Sequence, residues 1–280
     1  MLNLPIYTSN EFKRLYHGRG EKTYPFLTID SIEESILIEF YEEKDEKPFL
    51  QYLKDYIKKN HHKNIIVKRR YKNETFAAFG EISKEIFAIE DGIKFKLNLF
   101  NQNIGYFGDT KNVRSYVEKI SKDKKVLNLF SYTCGFSLFA KRGKAKEIIN
   151  VDMNKNVLKT GQQNHRLNNL DTKNISFWPY NILKAFNKLI KKAPYDLIII
   201  DPPTFQKGSF IAGKDYIKII KNLHKLSHNS TTLIACINDP KISKKKFINF
   251  IEESSNFRFK EDILPPKEYT NSTLKSFVFR

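Results

Sequence analysis

Apolar and polar positions follow two different rhythms along this chain. From Tyr24 to Leu99 the pattern is rich in strands: SILIEFY and NIIVKRRY are short β-branched runs, and between them EKPFLQYLKDYIKKN places Phe49, Leu53, Tyr56 and Ile57 on one helical stripe. IFAIE and IKFKLNL then flank Asp91-Gly92, the pair that a two-residue type I′ hairpin turn favours because both central positions need positive φ. From Val126 onward strands and helices alternate, VLNLF, EIINVD, ISFWPYN, YDLIIID and TTLIACIN each being followed by a helical segment, KDYIKIIKNLHKLSH among them. Such alternation predicts a parallel sheet covered on both faces. The last two strands, RFKEDILP and TLKSFVFR, are separated only by PKEYTNS, too short for a helical crossover, so they are expected to be antiparallel. The pattern therefore predicts a small α+β domain over residues 1–100 and a larger α/β domain over residues 101–280.

Composition narrows the class. A chain of 280 residues with 40% hydrophobic positions can bury a sizeable core, and it holds no run of eighteen apolar residues and no basic segment leading into an apolar one at its start. A cytoplasmic protein without a membrane span is expected. Cys134 and Cys236 lie far apart and lack metal-ligand spacing, which argues against a disulfide framework and a metal site. The net charge of +18 attracts polyanions, RNA among them, although solvated lysines need no partner. Lys68, Arg69 and Arg70 in KRRYK interleave cations with an aromatic and are the candidates for phosphate and base contact. His61 and His62 are expected to face solvent, His165 to be structural, and Trp178 to belong to the core.

The order of elements together with LFSYTCGF, the acid of NVD and the tetrapeptide DPPT resembles the class I S-adenosylmethionine-dependent methyltransferases. The collinear set IGYFGD, VLNLFSYTCGFS, VDMN, NHRLNNL and DPPTFQKGS is most similar to bacterial enzymes that methylate large-subunit ribosomal RNA at cytosine C5 or guanine N7. The resemblance implies a Rossmann-like seven-stranded sheet with an antiparallel C-terminal strand, S-adenosyl-L-methionine as cofactor and rRNA as partner. It also implies that the N-terminal module is the small domain preceding the catalytic one, with RNA binding as its candidate role.

The residues can be read against that cofactor. In LFSYTCGF, Gly135 permits close backbone approach, Ser131 and Thr133 offer hydroxyls, and the missing GxGxxG and P-loop lysine argue against a phosphate-bearing ligand. Turn amides suit the cofactor carboxylate; Asp109 and the carbonyls near Asn128 and Phe130 are the candidates for its ammonium. Asp152 ends its strand where ribose hydroxyls arrive, the competing reading being an N-cap for the next helix. Met153 is placed to pack on adenine, and Asn181 stands where the family usually has Asp to accept from the adenine amino group. Cys134 stands where relatives often have Gly.

Two residues set the expected reaction. Asp201, with Pro202 and Pro203 behind it and Phe205 for stacking, is the candidate for gripping a planar base edge. Cys236 matches the nucleophile position of pyrimidine C5 methyltransferases, where a thiolate adds at C6 to activate C5. If Cys236 is only a small buried hydrophobe, transfer to a guanine nitrogen, or to a non-RNA acceptor, takes its place. A noncatalytic RNA-binding protein with a vestigial cofactor pocket remains the reading from another class, and a dehydrogenase is disfavoured because the dinucleotide fingerprint is missing.

Overall fold

The computed structural model describes residues 2–206, 210–269 and 271–280, so Lys207–Ser209 of the DPPTFQKGS stretch lie outside the described residues. The chain divides into two compact units, Met1–Asp109 with Pro266–Ser272, and Thr110–Pro265 with Thr273–Arg280. The division falls later than the boundary placed near residue 100, and the segment between the last two strands belongs to the first unit.

In the first unit, β1 (Lys13–His17), β2 (Leu27–Ile32), β3 (Ser35–Phe40), β4 (Asn64–Arg69) and β5 (Glu74–Phe79) form one sheet in that order. All pairings are antiparallel except β3 with β4, which helix α1 (Lys47–Lys58) connects as a crossover. Alternate strand residues, including Ile29, Ile36, Ile38, Ile65 and Val67, pack against Phe49, Leu53, Tyr56 and Ile57 of α1 in one core. The predicted helical stripe is the buried one. A hairpin of β6 (Phe87–Glu90) and β7 (Ile93–Lys96) turns at Asp91 and Gly92 with φ of 47° and 79°, as the Asp-Gly pair predicts. Solvent exposure of the histidine pair is not found: His62 is 4% exposed with Nε2 2.7 Å from Ser31 Oγ, and His61 Nε2 lies 2.9 Å from the Glu33 carbonyl. These partners satisfy one nitrogen of each ring, while Nδ1 of both rings is buried without a hydrogen-bond partner among the described residues.

The second unit opens with α2 (Lys111–Ile120) and then winds β8 (Lys125–Leu129), α3 (Gly135–Arg142), β9 (Glu147–Val151), α4 (Lys155–Leu167), β10 (Ile175–Trp178), α5 (Ile182–Ile190) and β11 (Tyr195–Ile200). A two-residue-per-strand hairpin, β12 (Phe205–Gln206) with β13 (Phe210–Ile211), leads into α6 (Ala212–Ile220), β14 (Ser227–Asn238), α7 (Lys244–Ser254), β15 (Phe259–Asp262) and β16 (Leu274–Phe279). The sheet order is β10-β9-β8-β11-β14-β16-β15, parallel from β10 to β14 and antiparallel through β16. This is the seven-stranded mixed sheet that the alternation and the final short connection imply.

Side-chain alternation splits the strands between two cores. Leu127, Leu129, Ile198, Ile200, Leu233 and Ala235 face α5, α6 and α7, whereas Val126, Ile148, Leu197, Ile199, Ile234 and Cys236 face α2 and α3. The helix expected over KDYIKIIKNLHKLSH stops at Ile220. A 3-10 turn at Leu223–Lys225 follows, burying Leu223 and Leu226 fully before β14 begins at Ser227. Strand order reverses between β8 and β11, the point at which open α/β sheets leave a crevice at their carboxyl ends.

Candidate active site

The turn after β8 is built on alternating backbone signs. Phe130, Tyr132 and Cys134 have φ of 58°, 47° and 63°, each a left-handed conformation that costs a non-glycine residue about 1–3 kcal/mol. Asp152, at the tip of β9 and 7% exposed, anchors the middle of that turn: Tyr132 N–H donates to its Oδ2 at 3.0 Å, while Asn154 N–H donates to its Oδ1 at 2.9 Å. Burial pushes the Asp152 carboxyl up, and the two backbone donors pull it back down. Each carboxylate oxygen has further lone pairs, so both retain capacity to accept from a ligand hydroxyl. The N-cap reading of Asp152 is not observed, because Asn154 caps α4 by accepting from the amides of Asn156 and Val157.

The turn amides are less available than the sequence suggests. Ser131 N–H donates to Val151 O, Tyr132 N–H to Asp152, and Cys134 N–H to Ser131 O. The first amides of α3, Gly135 to Ser137, have no intrahelical partner by position and carry the positive end of the helix dipole, so a ligand carboxylate is better served there. Ser131 Oγ is buried and has no hydrogen-bond partner among the described residues. Thr133 is buried, its carbonyl accepting from Asn164 Nδ2 at 3.3 Å.

Beneath the turn runs a directed hydrogen-bond chain that the sequence reading did not find. Asn128 Nδ2 donates to Asn150 Oδ1 at 2.9 Å, Asn150 Nδ2 to Ser137 Oγ at 3.0 Å, and Ser137 Oγ lies 3.0 Å from His165 Nε2. His165 Nδ1 is 2.8 Å from the Gly161 carbonyl, which only accepts; Nδ1 therefore carries the proton and Nε2 accepts from Ser137. Burial lowers the His165 pKa, in keeping with the neutral ring. All four side chains are fully buried, so Asn128 serves β8, β9, α3 and α4 from inside the sheet.

Beside Asp152, Phe130, Met153, Tyr180, Asn181, Ile182, Leu183 and Phe210 line an open cleft of about 230 Å³. Apart from the Asn181 amide and the Tyr180 hydroxyl the lining is apolar, which suits the face of a planar ring. Met153 and Asn181 were expected here, whereas Tyr180, Ile182, Leu183 and Phe210 were not. Asn181 Oδ1 caps α5 by accepting from Leu183 N–H at 3.0 Å, so the oxygen expected to take an adenine amino group already has one donor. Trp178 packs on the neighbouring core.

Asp201 follows directly on β11. Pro202 is buried, Pro203 and Thr204 are exposed, and Phe205 is 64% exposed. Thr204 Oγ1 donates to the Asn238 carbonyl at 2.8 Å, and Tyr216 Oη donates to the Cys236 carbonyl at 3.1 Å, tying the DPPT segment and α6 to the end of β14. Cys236 itself is fully buried, its side chain on the face shared with Ile199, Ile234 and Val278.

Four further candidates lie in the first unit. Asp109 sits in the 3-10 turn Gly108–Thr110, where its Oδ2 accepts from Ser272 Oγ at 3.4 Å. Lys68, Arg69 and Arg70 of KRRYK are engaged within their own unit. Lys68 is 1% exposed and donates to the carbonyls of Leu99 and Asn101, Arg69 grips Glu46 through two nitrogens and also bonds Glu74, and Arg70 bonds Glu39. Strand β4 and the residue after it turn these side chains to neighbouring carboxylates and carbonyls, so their charge has partners close by. Among the described residues no group of three or more His, Cys, Asp or Glu side chains is placed to hold a metal ion, and no helix is long and apolar enough to cross a membrane.

An acceptor carboxylate, an orphan hydroxyl, helix-terminal amides and an apolar slot for a ring together fit S-adenosylmethionine, which has no phosphate to satisfy. Comparison with known proteins agrees with that chemistry. A ribosomal RNA large subunit methyltransferase K/L of Pseudoalteromonas translucida is 38% identical over 180 residues, covering 61% of this chain and 25% of that protein. A ribosomal RNA large subunit methyltransferase I of Aeromonas hydrophila is 36% identical over 145 residues, covering 50% of this chain and 36% of that one. The chain thus spans about a quarter to a third of the length of these relatives. In fold, SMU.776 complexed with S-adenosylhomocysteine superposes with a TM-score of 0.83 at 24% identity, covering 96% of this chain and 75% of that one. The S-adenosylmethionine-dependent methyltransferase of Agrobacterium tumefaciens gives 0.72 at 15% identity, covering 98% and 91%. The family model for S-adenosylmethionine-dependent methyltransferases matches residues 13–280, and the chain belongs to that family.

Proposed function

We propose that this protein transfers a methyl group from S-adenosylmethionine to a nitrogen of a base in large-subunit ribosomal RNA. The observation that carries the reading is the convergence, at the carboxyl end of one sheet, of the turn bonded to Asp152, the apolar cleft and the DPPT segment. Asp152 accepts from the ribose hydroxyls, Met153 and Phe130 flank the adenine, Ser131 Oγ and the first amides of α3 meet the amino-acid end, and Asn181 borders the ring. The names of the relatives and the +18 charge support rRNA as the acceptor.

When bound, the cofactor supplies a methyl whose bond to sulfur breaks as the bond to the acceptor nitrogen forms, leaving a neutral thioether. Asp201 orients the base edge by accepting from an exocyclic amine, and takes the proton that such a nitrogen sheds on methylation. Pro202 and Pro203, having no N–H, keep carbonyls and not donors around that amine. Nitrogen is favoured over cytosine C5 because a C5 route needs a thiolate at the base, and Cys236 is enclosed among Ile199, Ile234 and Val278.

The test is transfer of labelled methyl to ribosomal RNA from cells lacking the protein, followed by nucleoside analysis, with wild type and Cys236→Ala in parallel. An N-methylated nucleoside made by both is expected. A 5-methylcytidine product abolished by Cys236→Ala would restore the thiol mechanism, and absence of transfer to any RNA would remove the substrate assignment.

A further inference from the structure

In the first unit a buried lysine holds an exposed aromatic in place. Lys68 lies on β4 beside Glu39 of β3 and Thr75 of β5. Its Nζ donates to the carbonyl of Leu99 at 2.5 Å and of Asn101 at 2.6 Å, and Thr75 Oγ1 donates to the same Leu99 carbonyl at 3.1 Å. The residue between those carbonyls, Phe100, is 60% exposed. The loop is closed at its base, where Asn98 N–H donates to Ile104 O at 2.8 Å. Its tip is tightened by Phe100 N–H to Asn98 Oδ1 at 3.1 Å and Asn101 N–H to Asn98 O at 3.2 Å.

Single exposed apolar side chains are ordinary and call for no explanation. The support beneath this one is not ordinary. Burying an ammonium is costly, and burial here lowers the Lys68 pKa. A Met or Leu at 68 would fill the same space without a charge to desolvate, and Thr75 Oγ1 would still donate to the buried Leu99 carbonyl. What the lysine adds is a single fixed conformation for the turn that presents Phe100. Around Phe100 the side chains of Asn98, Asn101 and Gln102 are exposed, and no charged residue occurs from Leu97 to Phe107.

We infer that the Asn98–Ile104 loop is an RNA contact site in which Phe100 stacks on an unpaired nucleobase, the neighbouring amides meet base edges, and Lys68 acts as a positioning residue from below. A pre-ordered ring loses little entropy on stacking, and amides pair with base edges where cations would seek phosphate. The inference rests on RNA being the substrate, and it assigns to Lys68 a role other than touching that RNA.

The test measures binding of ribosomal RNA from cells lacking the protein at one fixed salt concentration, with cofactor affinity followed by calorimetry. Phe100→Ala is expected to weaken RNA binding about 5- to 150-fold while leaving cofactor affinity and the melting temperature unchanged. Phe100→Trp is expected to restore binding, with indole emission quenched as RNA is added. Lys68→Met is expected to weaken RNA binding, with little further loss when Phe100→Ala is added to it. The inference is overturned if Phe100→Ala binds RNA within twofold of wild type or if Phe100→Trp fails to recover affinity; should Lys68→Met not fold, that pair decides alone. A wild-type protein that binds no RNA would instead bring down the substrate assignment, a result visible before any variant is compared.

Discussion

At the scale of single residues, Asp152 combines two tasks that pull its carboxyl in opposite directions. Desolvation raises its pKa, yet two backbone amides require an acceptor on each oxygen. Asn at this position would turn an NH2 group toward one of those amides, setting donor against donor. Asp152→Asn should therefore weaken S-adenosylmethionine binding roughly 10- to 100-fold, the loss of one or two charge-assisted hydrogen bonds, and also lower the melting temperature. Calorimetric affinity within threefold of wild type would show that the carboxylate does not meet the ligand. The sequence marks Asp152 as an acid that either meets ribose hydroxyls or caps the next helix, and Asn154 takes the cap. Around Lys68, Arg69 and Arg70 the sequence displays charge and hides its partners: Glu39 and Glu46 are more than twenty residues away, and the partners of Lys68 are backbone carbonyls.

Elements were legible where one face decides the pattern and hidden where it does not. The strands at the centre of the second sheet show their apolar runs, and Asp91-Gly92 names its own turn. By contrast KRLYH of β1 has one buried residue, ETFAAF of β5 is an edge strand with none, and the two-residue strands β12 and β13 are too short for any period. The turn between β8 and α3 was placed correctly, but its mechanics depend on a distant glycine. A Cβ on Gly161 of α4 would lie 2.4 Å from Cys134 Sγ and 2.9 Å from its Cβ. Cys134, left-handed and fully buried, thus occupies space that Gly161 leaves open. Gly161→Ala should destabilise the fold by about 1–3 kcal/mol through overpacking, and most of that loss should vanish when Cys134→Gly is added, since the clashing sulfur goes and a left-handed glycine is unstrained. Denaturant unfolding of the two single variants and the double gives the coupling; simple additivity would mean that the pair does not share the site.

For the molecule as a whole, part of the acid sensitivity follows from a few buried groups in the first unit, to which the buried His165 of the second adds in the same direction. His62, held by burial and neighbouring His61 down to about 4, and His17, held down to about 4 by burial with Arg14 and Arg19, stay neutral in the fold but titrate near 6.5 once unfolded. Between pH 6.5 and 4 the unfolded chain binds more protons at both positions, so the stability they contribute, complete above 6.5, is lost as the pH falls through that window. Asp30 acts the other way: burial, opposed by Arg14, pushes its carboxyl up to about 6 from 3.8, so between those values the folded form binds the extra proton. Two imidazoles outweigh one carboxyl, and His62 alone is worth up to about 3 kcal/mol across its window. Full-length protein should therefore melt at a progressively lower temperature from pH 6.5 to 4. His62→Gln, which can still hydrogen-bond Ser31 but cannot take up a proton, should flatten that decline, and an equally steep decline in the variant would place the acid lability in other groups.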